Sequence, residues 1–172
     1  MPSNTYTLIA SSTVGAGGAS SIDFTSIPST YTDLVVKTSA RSTAAVGAAA
    51  AYVVLNFNGT TGSKTYRRLY GLGSSAGSDS GTLALAGTTP GANATANTFG
   101  NHEFYIPNYT SSNNKSVSID AVSENNSSTD NELDLVAFLW SNSASITQIN
   151  LTLSQGNFAQ YSSAYLYGVK SS

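Results

Sequence analysis

Ser116-Val117-Ser118-Ile119-Asp120-Ala121-Val122-Ser123-Glu124 places apolar side chains at Val117, Ile119 and Ala121, with Ser118 and Asp120 between them. Successive side chains of an extended chain point to opposite faces, so this is the pattern of a strand with one buried face; a helix would repeat its apolar positions about every 3.6 residues. The same period recurs on both sides of this run. It sets Ile22 with Phe24, Leu34 with Val36 and Thr38, Val53 with Leu55 and Phe57, and Ile149 with Leu151 and Leu153 on inward faces. Strands are predicted over residues 6–14, 20–25, 33–41, 52–58, 65–72, 82–86, 99–106, 116–124, 132–140, 146–153 and 163–169. Gly, Asn, Ser and Pro clusters separate them, and Asn58-Gly59 and the neighbourhoods of Pro28 and Pro107 supply turns; Asn and Gly tolerate the positive φ of tight hairpins. The expected fold is all-β, a jelly-roll-like antiparallel β-sandwich in a single domain over residues 1–172, with no internal repeat.

Two stretches depart from simple alternation. In residues 133–140, Leu133, Leu135 and Leu139 point one way while Val136, Phe138 and Trp140 point the other, so both faces look buried. Such a strand needs either a second packed layer or a neighbouring subunit, and central packing is the expectation taken. Residues 73–97 are Gly-, Ala-, Ser- and Thr-rich around a short Leu83-Ala84-Leu85 island and read as a long surface excursion; residues 124–130 read as a polar loop.

Composition narrows the function. At 172 residues the chain can bury roughly 70% of its unfolded surface, enough for one core without staples. It has no cysteine, hence no disulfide framework and no thiolate zinc site. Charged residues are only 9% of the chain and the net charge is -2, so there is no basic stripe for phosphates and nucleic acid is not an expected partner. The apolar-leaning stretch 44–55 is broken by Gly47 and falls short of the roughly 20 residues a bilayer span needs, so no membrane partner is expected. The N-terminus lacks a basic start before an apolar core and does not read as a secretory signal; a protein made in, or released from, a cytoplasm is expected.

Candidate chemistry is sparse. The one histidine, His102, neighbours Glu103 on a predicted strand, so the two side chains leave opposite faces and cannot share a reacting atom. Carboxylate pairs for glycoside hydrolysis can be nominated from Asp120, Glu124, Glu132 and Asp134, but no surrounding cluster of aromatic and charged groups singles one out. Asp130-Asn131-Glu132-Leu133-Asp134 offers alternating oxygen ligands that could suit calcium, without the glycine and later glutamate of an EF-hand loop. Catalytic residues, cofactors and metals are therefore assigned to none. Arg67 and Arg68 leave opposite faces of a strand, so only one can meet a partner. Sequons at Asn58, Asn108 and Asn150 follow from composition. Tyrosine joins a broad apolar ring to a polar tip, and Tyr105, Tyr109 and Tyr161, beside loop-like Asn, Ser and Gln residues, are expected with Arg67 to face a partner.

Several longer segments carry a resemblance. They are residues 13–34, from Thr13-Val14-Gly15 through Ile27-Pro28 to Asp33-Leu34; the Asn56-Phe57-Asn58-Gly59 turn leading to Tyr66-Arg67-Arg68-Leu69-Tyr70-Gly71; and Asn97-Thr98-Phe99-Gly100 running into Tyr105-Ile106-Pro107-Asn108-Tyr109. Asn114-Lys115-Ser116 with Glu124-Asn125-Asn126, and Leu139-Trp140-Ser141-Asn142 through Gly156-Asn157-Phe158 to Tyr165-Leu166-Tyr167-Gly168-Val169-Lys170, complete it. Together they resemble a family of tailed-bacteriophage structural proteins over most of the chain, with residues 44–51 and 73–97 departing from the pattern. The resemblance implies a jelly-roll-like virion component, a homotrimer with no catalytic residues to carry over. The expected function is that of a non-enzymatic capsid decoration, or cement, protein on the outer capsid surface, with the major capsid protein and copies of itself as partners. The alternative is a tail- or head-borne adhesin that recognises host surface glycans.

Overall fold

The computed structural model describes residues 5–47, 51–60, 62–83, 85–126 and 131–170. Among these there is no helix. The chain forms β1 (Tyr6–Thr13), β2 (Ser21–Phe24), β3 (Asp33–Ala40), β4 (Ala51–Phe57), β5 (Lys64–Gly71), β6 (Ala76–Gly81), β7 (Leu85–Thr89), β8 (Gly100–Ile106), β9 (Lys115–Ser123), β10 (Glu132–Trp140), β11 (Ile149–Leu153) and β12 (Ser163–Val169). An eight-stranded sheet runs in the order β1-β12-β3-β8-β9-β10-β5-β6, and a four-stranded sheet in the order β2-β11-β4-β7. The strand pairs are antiparallel. The expected antiparallel β-sandwich is the architecture observed, with a large and a small sheet.

The alternation that predicted the strands also builds the core. Along β9, buried and exposed residues alternate without a break, and Val117, Ile119 and Ala121 face inward. Ile22, Phe24, Leu34, Val36, Val53, Leu55, Phe57, Ile149 and Leu151 join them in one core, with Leu153 packed at its margin. The two sheets lock through aromatic side chains: the Phe57 ring on β4 lies 6.1 Å from Phe138 and 5.3 Å from Trp140, both on β10. Tilted and edge-on contacts at such spacings add to the area that these rings remove from water.

The expectation of a surface excursion over 73–97 is corrected. β6 does form an exposed edge, but all of β7 is buried against the large sheet. The strand predicted at 82–86 overlaps only the start of β7, and β6 was not predicted. Small residues here serve close approach. Gly87, at φ +105°, sits in a bulge of the β4–β7 ladder, and a Cβ there would stand 2.2 Å from the Ala121 Cβ. Only a residue without a side chain fits both that conformation and that gap.

The expectation that β10 is covered on both faces is also corrected. Val136, Phe138 and Trp140 are buried, whereas Leu133 and Leu135 are 59% and 52% exposed. The small sheet covers the inner face of the large one; the outer face carries no layer among the described residues.

Candidate interaction surface

Between the sheets lies a buried charge cluster that sets the geometry of the surface above it. Arg68 on β5 turns inward, and its Nη1 donates to Glu132 Oε1 at 2.5 Å and to Asp134 Oδ1 at 3.1 Å. Its Nη2 donates to Asp79 Oδ2 on β6 at 2.7 Å. The guanidinium carbon lies 4.5 Å from the Tyr70 ring centre and 5.2 Å from that of Tyr52, so two aromatic faces flank the cation. Asp134 Oδ2 also accepts the backbone N–H and the hydroxyl of Thr88. Burial works to lower the Arg68 pKa, but the Asp79 hydrogen bond and the charges of Asp134 and Glu132 outweigh it and raise the pKa. Burial pushes the Glu132 carboxyl above the usual carboxylate range, and Asp134 adds to that push while Arg68 opposes it. Three carboxylates around one guanidinium favour a retained proton on Glu132.

His102 extends the network. Its Nε2 lies 2.8 Å from the Thr88 carbonyl, which can only accept, so Nε2 carries the proton and Nδ1 accepts the Thr38 hydroxyl at 2.9 Å. Burial pulls the imidazole pKa down to about 4. A neutral, fully bonded imidazole fits a structural role in the sandwich.

Strand parity brings the opposite chemistry to the outside. Leu69 follows Arg68, Leu133 follows Glu132, and Leu135 follows Asp134, so each buried charge has an exposed leucine as its neighbour. In register, Leu135 stands beside Leu69 and Leu133 beside Val122, giving one aliphatic patch across β9, β10 and β5. Leu69 is 60% and Val122 43% exposed. An open depression of about 540 Å³ next to Leu135 and Leu69 is bordered by Arg67, Ser78, Ser80 and Ala137. At the other end of the same outer face, Tyr6, Leu8, Tyr105 and Tyr165 are exposed, and Val35 is buried beside Tyr105 and Tyr167. The Lys37–Glu103 ion pair, 2.8 Å long, separates the two apolar regions.

Of the residues expected to meet a partner, three are at the surface. Tyr105 is partly exposed on the outer face and donates its hydroxyl to Asp33 at 2.8 Å, a bond that raises its pKa. Tyr161 is 68% exposed on the turn before β12, with φ at +71°. Arg67 is exposed beside the aliphatic patch. Tyr109 is corrected: it is fully buried, with its hydroxyl donating to the Pro28 carbonyl. The turn that follows β8 folds its ring back into the core, which its Asn and Ser neighbours did not disclose.

The nominated carboxylates separate. Asp120 lies on the outer face, whereas Glu132 and Asp134 point between the sheets and bind Arg68. Asp130, the first residue of the calcium candidate, lies outside the described residues. Among those described, no group of three or more His, Cys, Asp or Glu side chains could hold a metal ion. The patch leucines were the residues missed, although the double apolar phase of residues 133–140 was their signal.

No family model matches the sequence, and no curated protein matches it. Among solved structures, the chain has a weak likeness to the binding domain of botulinum neurotoxin serotype D/C, with 11% identity, 83% of this chain and 34% of that chain covered, and a TM-score of 0.24. A structure of botulinum neurotoxin type C gives 9% identity, the same coverage and a TM-score of 0.23. This chain spans about a third of the length of either, and both scores lie below the level of a shared fold.

Proposed function

We propose that this chain is a non-enzymatic structural protein of a tailed-phage virion, a capsid decoration protein that grips the outer face of major capsid subunits and associates with copies of itself. The observation that carries a holding function is the uncovered outer face of the large sheet, where Tyr6, Leu8, Leu69, Tyr105, Val122, Leu133, Leu135 and Tyr165 are exposed. Large apolar groups gathered on one face are the mark of a surface that another protein covers. A chain with only 9% charged residues also repels neighbours weakly, which suits dense seating on a lattice where weak contacts sum. The assignment to a capsid rests on the sequence resemblance, and the tyrosine-bearing end of the sheet is the proposed contact with the shell.

Removing the protein from purified particles tests this reading. Stripped shells are expected to lose resistance to heat and osmotic shock and to regain it when the protein is added back. Unchanged resistance would remove the basis for the cement role. Quantitative gels separate the alternative: hundreds of copies per particle accord with decoration, and a handful at the tail with a glycan-binding adhesin.

A further inference from the structure

We propose that the aliphatic patch formed by Leu69, Val122, Leu133 and Leu135 is the contact through which two copies of this chain pair about a two-fold axis. This goes beyond the capsid reading and does not depend on it. It also replaces the three-fold association that the sequence resemblance implies.

Charge placement points to a second copy as the occupant. Asp120 is exposed on the outer face and stands in register between Glu103 and Leu135. Glu103 already holds Lys37 at 2.8 Å, and Asp120 has no ion pair among the described residues. Like charges directly opposite on neighbouring strands destabilise each other, so Asp120 lacks the cation its position calls for. Across the leucines lies Arg67, a cation with no ion pair among the described residues. Arg67 is exposed, and the bond its guanidinium makes among the described residues goes to the Tyr66 carbonyl of its own strand, at 3.0 Å.

The register places these two charges on opposite sides of the Leu135–Leu69 pair. Asp120 neighbours Leu135 across β9–β10, Leu135 neighbours Leu69 across β10–β5, and Arg67 lies one outward position along β5 from Leu69. On an ideal sheet that puts Asp120 and Arg67 about 12 Å apart. A two-fold axis in the plane of the interface, passing between Leu135 and Leu69 at equal distance from both charges, sets Arg67 of each copy over Asp120 of the other. It also brings Leu135 of one copy against Leu69 of the other. That reciprocity is the defining property of an isologous contact. A three-fold contact would need two different complementary surfaces, and here one face carries both halves.

Exposure agrees with the need. Leu69, Leu133 and Leu135 are 60%, 59% and 52% exposed and Val122 43%, and large apolar groups gathered on one face of a monomer signal a partner. Leu135 and Leu69 of the two copies form the apolar centre of this contact, Leu133 of each lies toward Ser78 of the other, and the Arg67–Asp120 pairs close its rim.

Analytical ultracentrifugation of the purified 172-residue chain, from about 1 to about 100 micromolar, tests the pairing. A dimer is expected, and Leu135→Glu is expected to give a monomer with an unchanged circular dichroism spectrum. Arg67→Asp and Asp120→Arg, both at exposed positions, are each expected to weaken dimerisation at least about tenfold, a loss of about 1.4 kcal/mol. Together they are expected to restore it to within about threefold of the original, because the pair then meets with its signs exchanged. The charges are too far apart within one copy for that rescue to be internal. A monomer throughout the range, a trimer, or a double variant no better than the single ones would overturn the proposal.

Discussion

Asp134 Oδ2 accepts the Thr88 backbone N–H at 2.9 Å and the Thr88 hydroxyl at 3.1 Å, so a single carboxylate on β10 pins the edge strand β7 of the small sheet to the large one. Its other oxygen holds Arg68. The cluster is thus a joint between layers, and its partners are mutually dependent.

Removing the cation should expose that dependence. Arg68→Leu leaves Glu132 and Asp134 buried without their shared partner, and breaking a buried pair in this way costs about 3–5 kcal/mol. Urea unfolding monitored by tryptophan fluorescence reads the loss, since Trp140 is in the same core. A loss below about 1 kcal/mol would mean the cluster contributes little to holding the layers.

Glu132 should make the fold less stable as pH rises. Its folded pKa is raised above its ordinary value of 4.5, so the folded protein keeps a proton that the unfolded chain has released. Stability therefore falls from about pH 4.5 upward until the folded group itself ionises. Glu132→Gln, neutral at every pH, is expected to flatten this slope while changing stability at pH 5 by about 1 kcal/mol or less. Urea midpoints measured from pH 5 to pH 9 provide the check.

His102 should act on the acid side. Its folded pKa of about 4 lies below its ordinary value of 6.5, so the unfolded chain binds the extra proton first. The contribution is fully present above pH 6.5 and is lost as pH falls to about 4, a change of about 3 kcal/mol. In His102→Gln that acid dependence should disappear, leaving the carboxylate slope alone. An NMR titration showing the folded imidazole protonating near its ordinary value would contradict this.

Gly87→Ala should be among the costliest single-methyl additions. The new Cβ would meet the Ala121 Cβ at 2.2 Å from a backbone at φ +105°. Overpacking and left-handed strain together are expected to cost about 2–4 kcal/mol. Gly15→Ala, where no atom lies within 4 Å of the added carbon, is the control and should stay within about 1 kcal/mol of the parent.

The sandwich was legible wherever one face of a strand meets water. β9 is the clearest case, because Val117, Ile119 and Ala121 alternate with Ser118 and Asp120, which face water. β7 was not legible. Its Gly87, Thr88 and Thr89 look like surface residues, yet they are buried, and the reason is contact distance and hydrogen bonding rather than hydrophobicity. Parity also told that Arg67 and Arg68 part ways, but which one turns inward depends on Glu132 and Asp134, more than sixty residues away in the chain. Leu133 and Leu135 show a further ambiguity: an apolar face reads the same whether the chain's own layer or another molecule covers it.

The pairing of Arg68 with Leu69, and of Glu132 and Asp134 with Leu133 and Leu135, guards this corner against mispairing. If β5 or β10 slid by a single residue, leucines would replace the ions inside and bare charges would emerge outside, two penalties from one error. A strand that is greasy on both sides tolerates such slippage. Here the alternate salt and grease act as a ratchet, admitting one alignment of the neighbouring strands and rejecting those a step away.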